Sequence, residues 1–480
     1  MANKCVYKSL PDAKLARNRS SIFPFDYKNI TISETLKKFV KGKTYFIHTY
    51  GCQANYRDEE VMSGMLEMMG YKKSNSIEKA DFILLNTCAV RENAEQKVYG
   101  LIGNLKALKQ ANKEIIIAIC GCMVQQEHII KFIVDTYKHV DLIFGTHNIE
   151  ELPSMMEEVI NKKIRLVNVK SLPDKIKEEL PSVRISSFKA FVNISYGCDK
   201  FCTYCIVPYT RGKERSRKME DILKECQELK DLGYIEVTLL GQNVNAYGKD
   251  FKDGTSFAKL LEEVAKLGIP RVRFLTSHPW DFKDEMIDVI AKYDNIMKYI
   301  HLPVQSGNDE ILKRMNRRYT SNEYKILVDK IRNRIPNVYL STDIIVGFPN
   351  ETYEQFLDTI KIVEYAKYDS AFTFIYSPRK NTPAAMMEDN VTSKEKSARF
   401  KELVKALEKT IKVSSDNMIG KDYDVLVESV SEKDPSMMSG YTEGNKLVHF
   451  KGDESLIGKI VKVHINDSHL YSLLGELIND

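Results

Sequence analysis

From Thr44 onward, short β-rich runs alternate with amphipathic helical stretches, and this alternation constrains the fold more than any other feature of the sequence. The first strand-like runs are Tyr45–Thr49, Phe82–Asn86, Ile115–Ile119 and Asp141–Phe144. Helical periodicity separates them, as in Arg57–Met69, whose methionines we interpret as core residues. Strand–helix alternation is typical of a parallel sheet with helices on its faces. We therefore predict a doubly wound parallel sheet in residues 44–162.

A second β/α series follows a polar, Pro-containing stretch, and we predict that residues 163–183 are a linker. Its strand-like runs are Ala190–Ser195, Ile235–Leu240, Val272–Thr276, Met297–His301, Tyr339–Val346 and Ala371–Tyr376. Six β/α units are too few to close an eight-stranded barrel. Residues 184–416 therefore indicate an open, partial (β/α)6 barrel.

The two ends of the chain differ from this α/β pattern. Residues 417–480 alternate apolar and polar positions between Gly-containing turns, which predicts a small antiparallel β-barrel similar to modules that bind oligonucleotides. That segment holds six Lys against eleven Asp and Glu, for a net charge of −5. Residues 1–43, a basic N-terminal extension, hold ten Lys and Arg against three acids. The extension suits a polyanionic partner such as RNA, or is a solvated tail.

Composition narrows the class of protein. The chain has 480 residues, of which 43% are hydrophobic and 29% charged, which is ordinary for a globular protein and argues against disorder. No apolar run approaches the ~18 residues that a membrane span needs. The first 40 residues contain no apolar signal core, so we expect a cytoplasmic protein. In a reducing compartment, the nine cysteines are ligands or core residues rather than disulfides.

Three cysteines lie close together after the first strand of the predicted barrel. Cys198, Cys202 and Cys205 form a C-x3-C-x2-C pattern. Loops at the carboxyl ends of barrel strands carry the active sites of such folds. Three thiolates are soft ligands that suit an iron–sulfur cluster, and they would leave one iron of a four-iron cluster open. The alternative is structural zinc, which needs four ligands, usually as two close pairs, and no second pair lies nearby.

A second trio is spread over the N-terminal sheet. Cys52, Cys88 and Cys122 each follow one of its predicted strands. Because the carboxyl ends of parallel strands meet at one edge of a sheet, these thiols can converge there and hold a second cluster. The alternative is three buried, inert cysteines. Cys120 is a rival to Cys122, but its position at the end of the strand predicts that its side chain packs inward.

Several longer stretches identify the chain with a known family over residues 44–480. They read TYGCQAN (49–55), NTCAVRENA (86–94), YCIVPYTRG (204–212), LLGQNVNAY (239–247), SHP (277–279) and HLPVQSG (301–307). With the two cysteine trios, they resemble the methylthiotransferase family of the radical S-adenosylmethionine (SAM) superfamily. The stretches at 89–94, 241–245 and 277–279 resemble the branch that acts on tRNA. The C-terminal segment resembles the TRAM domain of this family, which is expected to hold RNA.

The resemblance implies a reaction and its cofactors. Cys198, Cys202 and Cys205 would hold the 4Fe–4S cluster that binds SAM, and the N-terminal trio an auxiliary 4Fe–4S cluster that carries the sulfur to be inserted. The implied reaction is methylthiolation at C2 of N6-isopentenyladenosine at position 37 of tRNA. Sibling enzymes act on N6-threonylcarbamoyladenosine of tRNA or on a ribosomal-protein aspartate. A non-enzymatic iron–sulfur protein that binds RNA is the alternative from another class.

Further residues are candidates for ligand contacts. For SAM they are Tyr204, Gly241, Gln242, Gln305 and Asp343, for which packing or strand-end hydrogen bonding is the alternative. For tRNA phosphates they are Arg211, Lys213, Arg215 and Arg217, with a solvated charge run as the alternative. The implied partners are the anticodon stem–loop of tRNA, a reductant protein such as flavodoxin or ferredoxin, and a sulfur donor. We expect a monomer that does not bind membranes.

Overall fold

The computed structural model describes residues 4–89 and 92–478, and of residues 92–94 it describes the backbone only. Part of the stretch 86–94 that carries the family resemblance therefore lies outside the described side chains. The chain divides into two compact units. The first comprises residues 1–185, 195–201 and 205–221, and the second comprises residues 186–194, 202–204 and 222–480.

The strands of the described residues are numbered along the chain. The first twelve are β1 Cys5–Ser9, β2 Phe25–Asp26, β3 Thr44–Tyr50, β4 Lys72–Lys73, β5 Phe82–Thr87, β6 Ile116–Gly121, β7 Leu142–Phe144, β8 Arg165–Asn168, β9 Ile176–Lys177, β10 Lys189–Asn193, β11 Ser195–Tyr196 and β12 Arg215–Ser216. The others are β13 Glu236–Leu240, β14 Arg271–Phe274, β15 Tyr299–His301, β16 Tyr339–Val346, β17 Ser370–Ile375, β18 Asp422–Val430, β19 Met437–Thr442, β20 Leu447–Lys451, β21 Ile460–Ser468 and β22 Ser472–Leu477.

The α-helices are numbered in the same way. They are α1 Ala13–Ala16, α2 Glu34–Val40, α3 Gln53–Met69, α4 Glu92–Ala111, α5 Glu127–Thr136, α6 Leu152–Lys162, α7 Val207–Thr210, α8 Met219–Asp231, α9 Phe257–Lys266, α10 Asp284–Lys292, α11 Asp309–Arg314, α12 Ser321–Arg334, α13 Tyr353–Ala366 and α14 Ser393–Asp416. Single turns of 3-10 helix lie between some of them, among them Pro279–Asp281.

The first unit is built on a seven-stranded sheet of order β1-β8-β7-β6-β5-β3-β4, in which all neighbours are parallel. Helices cover both faces, as the sequence predicts. Along β5, Phe82 and Leu84 pack into the core on the side of α3, and Ile83 and Leu85 pack into the core on the side of α4. Successive strand residues point to opposite faces, so a strand with both faces covered is apolar throughout.

The sheet is wider than the sequence predicts. Strand β1, from the predicted extension, pairs in parallel with β8 at one edge. Strand β8 lies inside the predicted linker, and β9, also in that stretch, pairs with β2. Parts of residues 1–43 and 163–183 are therefore elements of the first unit. The boundaries of the five predicted segments stay a prediction.

The second unit contains the predicted partial barrel. Strands β10, β13 and β14 form one parallel sheet and β15, β16 and β17 a second. A parallel bridge between Val272 and Ile296 joins β14 to the residues that lead into β15. The strands follow one another in chain order, so their carboxyl ends form one rim. Helices α9 to α13 lie between successive strands, which is the predicted (β/α)6 arrangement.

The C-terminal segment forms a closed barrel of order β18-β19-β20-β22-β21. Its pairs are antiparallel except for β20 and β22, which are parallel. The sequence patterns do not predict β19, which contains Gly440 and lacks strict alternation. Guanidinium groups on β14 bind this barrel: Arg271 donates to the carbonyl oxygens of Tyr441 (2.9 Å) and Asp424 (2.7 Å).

Candidate functional site

The three N-terminal cysteines follow three adjacent strands whose carboxyl ends are in register. Strands β3, β5 and β6 are neighbours, with Tyr50 opposite Thr87 and Thr87 opposite Gly121. Cys88 and Cys122 follow the last residues of β5 and β6 directly, and Cys52 follows β3 two residues later and caps α3. The structure thus places the predicted trio at one carboxyl edge of the sheet.

Polar side chains and a glycine hold these strand ends together. Asn55 Nδ2 donates to Asn86 Oδ1 (3.2 Å) and to the Thr87 carbonyl oxygen (3.3 Å), and Asn86 Nδ2 returns a bond to the Asn55 carbonyl (2.7 Å). The Cys122 amide donates to the Thr87 carbonyl (2.8 Å). Gly121 has φ +102°, and a Cβ there would lie 2.2 Å from the Thr87 oxygen. Only glycine therefore allows the chain to turn into Cys122.

A buried arginine contacts one of these thiols. Arg211 Nε donates to Cys122 Sγ (3.1 Å), and Arg211 Nη2 lies 2.7 Å from Asp58 Oδ2. Burial raises the pKa of the Cys122 thiol, and the Arg211 charge opposes that rise. Cys52 also acts electrostatically on Cys122. A fixed cation beside a buried sulfur favours its thiolate, which is the form that binds metal.

The donor set fits an iron–sulfur cluster. No three His, Cys, Asp or Glu side chains within the described ranges converge as one metal ion would require. A four-iron cluster, however, binds each thiolate through a different iron and so spreads its ligands. Three thiols at one sheet edge, with an arginine on one of them, match the ligand type and charge of such a cluster. Cys120, by contrast, is fully buried beside Met62, which confirms that it packs inward.

A histidine near this edge was missed by the sequence analysis. His147 follows β7, is 3% exposed, and has no hydrogen-bond partner for either ring nitrogen among the described residues. Burial lowers its pKa well below the usual value, and the charges of Arg215 and Arg211 lower it further. Its neighbour Thr146 donates to the Thr210 carbonyl oxygen (2.8 Å). The loop after β7 therefore binds the segment that carries Arg211.

The second trio lies on the loop that follows β10 and β11. Cys202 is buried, and Cys198 and Cys205 are half-buried. Cys198 and Cys205 belong to the first unit and Cys202 to the second. The Cys198 amide donates to the Gly212 carbonyl oxygen (3.1 Å). Their role as cluster ligands stays a prediction.

Within the second unit, residues 202–204 are held by the loop after α11. The Thr203 amide donates to the Met315 carbonyl oxygen (3.1 Å), and Thr203 Oγ1 donates to that of Arg314 (2.8 Å). Arg317, 4% exposed, directs Nη1 to Cys202 Sγ (3.5 Å) and donates Nη2 to the Pro303 carbonyl (2.6 Å). Each trio therefore has one cysteine sulfur in contact with a buried guanidinium.

Of the candidate SAM residues, Gly241, Gln242 and Gln305 follow strands of the barrel, and Asp343 lies within β16. Tyr204 packs beside the apolar cluster of α11 and Phe348. Gly241 and Gln242 follow β13 and are half-buried. Gln305 is bridged to β16, has φ +69°, and has a buried Oε1 without a hydrogen-bond partner in the described chain. Asp343, on β16, lies 3.5 Å from His301 Nε2. Their role toward SAM stays a prediction.

Two polar residues at the same rim were missed. Asn243, in the GQNVN stretch, donates from Nδ2 to Asp281 Oδ2 (2.7 Å), but its buried Oδ1 has no partner among the described residues. Ser277, after β14, has a buried hydroxyl that also has no hydrogen-bond partner among the described residues. Buried polar atoms are normally satisfied, so unpaired ones that share a strand-end rim indicate a binding site for a polar ligand. Their position directly after predicted strands is the sequence signal that could have identified them as site residues.

The basic residues after the second trio contact other groups of the protein. Arg211, Arg215 and Arg217 are each less than 9% exposed. Arg217 pairs with Glu178 through two nitrogens, with Nη2 2.7 Å from Oε2, and Arg215 donates to the Arg211 carbonyl oxygen (3.1 Å). Lys213 donates to the Ser21 carbonyl (2.8 Å). Each of these side chains thus has a partner within the protein, and the prediction that the four residues contact tRNA stays a prediction.

Comparisons with known proteins agree with this architecture. The model of the Radical SAM superfamily matches residues 192–363, that of the Uncharacterized protein family UPF0004 matches residues 44–145, and that of the TRAM domain matches residues 416–478. The fold also resembles that of the radical S-adenosylmethionine methyltransferase TsrM from Kitasatospora setae. That likeness has a TM-score of 0.52 at 13% identity and covers 72% of this chain and 74% of that one. The matched models define a radical SAM protein with a TRAM domain.

Curated relatives define the family more closely. A tRNA-2-methylthio-N(6)-dimethylallyladenosine synthase of Oceanobacillus iheyensis is 52% identical over 98% of this chain and 91% of the relative. The Bacillus subtilis protein of the same name is 50% identical over 98% of this chain and 92% of its own length. The chain belongs to the tRNA-2-methylthio-N(6)-dimethylallyladenosine synthase family, which confirms the family predicted from the motifs. Within the described ranges, no helix is both long and apolar enough to span a membrane.

Proposed function

We propose that this protein methylthiolates C2 of N6-isopentenyladenosine at position 37 of tRNA. The observation that carries the proposal is the near-complete alignment, at 50–52% identity, with relatives named for this product. The cysteine trio at one sheet edge supports it, because sulfur insertion requires a sulfur carrier besides the radical source. Proteins of this class use SAM and 4Fe–4S clusters.

Each trio has a separate role in the proposal. Cys198, Cys202 and Cys205 hold the cluster that binds SAM, and Cys52, Cys88 and Cys122 hold the auxiliary cluster. When bound, the reduced cluster and SAM would supply the radical that removes hydrogen from C2 of the adenine, the auxiliary cluster the inserted sulfur, and a second SAM the methyl group, with electrons from the reductant protein. The chain supplies the thiolates and the arginines beside Cys122 and Cys202.

The polar rim of the barrel binds the reacting molecules. Asn243, Ser277 and Gln305 each have a buried oxygen without a partner in the described chain. An amide oxygen accepts a hydrogen bond, and a hydroxyl can donate or accept, so the set suits the amino and ring-nitrogen groups of SAM or adenine. An adenine must leave its stack to reach such a rim, as in other enzymes that modify bases.

tRNA binding by the C-terminal barrel depends on a local patch, because that segment is acidic overall. Lys451, Lys459 and Lys462 are exposed and are available for phosphate contacts. Lys446 is not available: it is 5% exposed and donates to the Asp369 carbonyl oxygen (2.8 Å). The rest of the proposal is a monomer in the cytoplasm, reduced by a protein such as flavodoxin or ferredoxin and supplied by a separate sulfur donor.

Nucleoside mass spectrometry tests the proposal. Anaerobically reconstituted protein is incubated with isopentenylated tRNA, SAM, dithionite and sulfide, and the tRNA is then digested. We expect 2-methylthio-N6-isopentenyladenosine. Formation of 5′-deoxyadenosine without this product would reject the substrate and direct the test to tRNA with N6-threonylcarbamoyladenosine or to the ribosomal-protein aspartate. Absence of 5′-deoxyadenosine would favour a non-enzymatic protein.

A further inference from the structure

We propose that Arg211 and Arg317 are positioning residues that set the reduction potentials of the two clusters, each through a hydrogen bond to one ligating sulfur. The inference rests on the ligand assignments of the proposed function and adds to them two residues with a defined effect. It assigns Arg211 to the auxiliary cluster and Arg317 to the cluster that binds SAM. Neither arginine is then a tRNA contact.

Arg211 is built into the first unit as a fixed donor. Its Nε lies 3.1 Å from Cys122 Sγ, and its Nη2 lies 2.7 Å from Asp58 Oδ2. Asp58 lies on α3, the helix that Cys52 caps, so one guanidinium connects elements that carry two of the three cysteines. Both side chains are about nine-tenths buried or more, so the pair is shielded from water. In the protein interior, a charge acts more strongly on its neighbours than it does in water.

Arg317 has the same relation to Cys202 in the second unit. Its Nη1 lies 3.5 Å from the sulfur, within the range of hydrogen bonds to sulfur, and Nη2 donates to the Pro303 carbonyl (2.6 Å). Nε donates to the Tyr319 hydroxyl (3.1 Å), and that hydroxyl donates to the Val304 carbonyl (2.8 Å). No carboxylate appears among these contacts, so the full positive charge of Arg317 acts on the sulfur.

The expected effect follows from electrostatics. Reduction adds one electron to a cluster, and the added negative charge is shared with its sulfur ligands. A cation that donates a hydrogen bond to a ligand sulfur stabilises the reduced state and therefore raises the potential. Arg211 shares its charge with Asp58, so its effect comes mainly from the hydrogen bond, whereas that of Arg317 includes a net charge. We therefore expect the larger shift from loss of Arg317.

The test measures each potential in full-length protein that binds only one cluster. Replacing Cys198, Cys202 and Cys205 by alanine leaves the auxiliary cluster, and replacing Cys52, Cys88 and Cys122 leaves the other. Arg211→Lys or Arg317→Lys is then added, and redox titration is followed by electron paramagnetic resonance without SAM or tRNA. We expect each lysine variant, which loses the hydrogen bond but keeps the charge, to lower its own cluster's potential by about 59 mV, equivalent to a tenfold change in the one-electron equilibrium. Arg317→Gln, which also removes the charge, should lower the potential of the cluster that binds SAM further.

Matched variants separate this effect from loss of packing. Arg211→Gln combined with Asp58→Asn removes the buried pair without leaving an isolated charge, and should lower the auxiliary potential at least as far as Arg211→Lys. Arg217→Gln combined with Glu178→Gln removes a comparable buried pair, whose Nη2 and Oε2 lie 2.7 Å apart, and should leave that potential unchanged. An unchanged potential in the Arg211 and Arg317 variants, or an equal shift from the Arg217 control, would overturn the inference.

The result is independent of the tRNA substrate. If the potentials shift as expected but no methylthiolated nucleoside forms, the proposed function fails and the inference stands. If the product forms but the potentials do not shift, the inference fails alone. A three-cysteine protein that binds no iron would overturn the ligand assignment and the inference with it.

Discussion

At the scale of single residues, the proposed function assigns the chemistry to clusters held by six cysteines, and the residues around each cysteine fix its position and its charge environment. Six thiols fall into two trios with different surroundings. The N-terminal trio depends on a strained turn at Gly121 and on the Asn55–Asn86 bonds. The second trio depends on a loop held by Thr203. The two sites are therefore expected to respond independently to substitution.

The first prediction separates the trios. Cys202→Ala should abolish formation of 5′-deoxyadenosine, because the cluster that binds SAM loses a ligand. Cys88→Ala should leave 5′-deoxyadenosine formation intact and stop sulfur insertion. Chromatography of 5′-deoxyadenosine and nucleoside mass spectrometry on the same reactions measure both outcomes. Cys226→Ala, in the buried face of α8, is the control that should retain both activities. A methylthiolated product from the Cys88 variant would disprove the auxiliary assignment.

The second prediction concerns the turn into Cys122. Gly121→Ala should lower the free energy of unfolding of the first unit by about 1–3 kcal/mol, because it forces an L-residue to φ +102° against the Thr87 carbonyl. Urea unfolding measures the loss. Gly100→Ala is the matched control: it lies within α4, a Cβ there would have no atom within 4 Å, and alanine favours the helix by roughly 0.5–1 kcal/mol. Equal stabilities of the two variants would contradict the strain.

At the scale of elements, strand ends organise both sites. Parallel strands bring the residues that follow them to one edge, and this places Cys52, Cys88 and Cys122 together although about 35 residues separate neighbours in sequence. The same rule places Gly241, Ser277 and Gln305 around the rim of the barrel. We therefore expect the substrates to contact the loops after the strands rather than the strands themselves.

The third prediction concerns the loop after β14. Trp280, the single tryptophan of the chain, is 49% exposed on the turn Pro279–Asp281, three residues after Ser277. If tRNA binds this rim, an unstacked base can pack on the indole, so tRNA should quench the fluorescence in a saturable way. Trp280→Ala should weaken tRNA binding by about 1–3 kcal/mol, the usual value of base stacking, and Trp280→Phe should retain most of it. Tight tRNA binding without a fluorescence change would exclude this contact.

At the scale of the whole molecule, the C-terminal barrel is part of the second unit rather than an appended module. The core of this C-terminal barrel includes Tyr299 of β15 and Tyr339 of β16, two strands of the partial (β/α)6 barrel. Arg271 and Arg273 of β14 donate to carbonyl oxygens between Asp424 and Glu443. A buried guanidinium group that loses such acceptors lowers the stability of the fold, because its donors are left without hydrogen bonds. The segment therefore has a structural role whatever its share in binding RNA.

The fourth prediction tests that role. Removal of residues 417–480 should reduce soluble yield and lower the thermal unfolding temperature of the remaining protein, because it uncovers Tyr299 and Tyr339 and leaves Arg271 and Arg273 without their acceptors. Each lost charged hydrogen bond should cost about 1–3 kcal/mol. The full-length triple variant Lys451→Ala, Lys459→Ala and Lys462→Ala is the control: it should reduce tRNA affinity at unchanged stability. A truncated protein as stable as the full chain would refute the structural role.

The pattern of the sequence by itself predicted both α/β regions, the C-terminal barrel, and the position of Cys52, Cys88 and Cys122 at strand ends. These depend on local periodicity and on spacing along the chain, which a single sequence contains. The strand β1 was missed because Cys5–Ser9 is a short run whose strand character depends on the open edge of β8. Strand β8 was missed because it adjoins a polar stretch that has the composition of a linker.

Only the tertiary structure decided which charged and polar side chains are free to bind a ligand. Arg211 and Arg217 look like solvated cations in sequence, but their partners, Asp58 and Glu178, are distant along the chain, so the folded protein alone makes them buried ion pairs. The same holds for the contacts to Cys122 and Cys202, and for the unpaired oxygens of the barrel rim. Local periodicity specifies elements, whereas burial and pairing arise when elements far apart in sequence pack together.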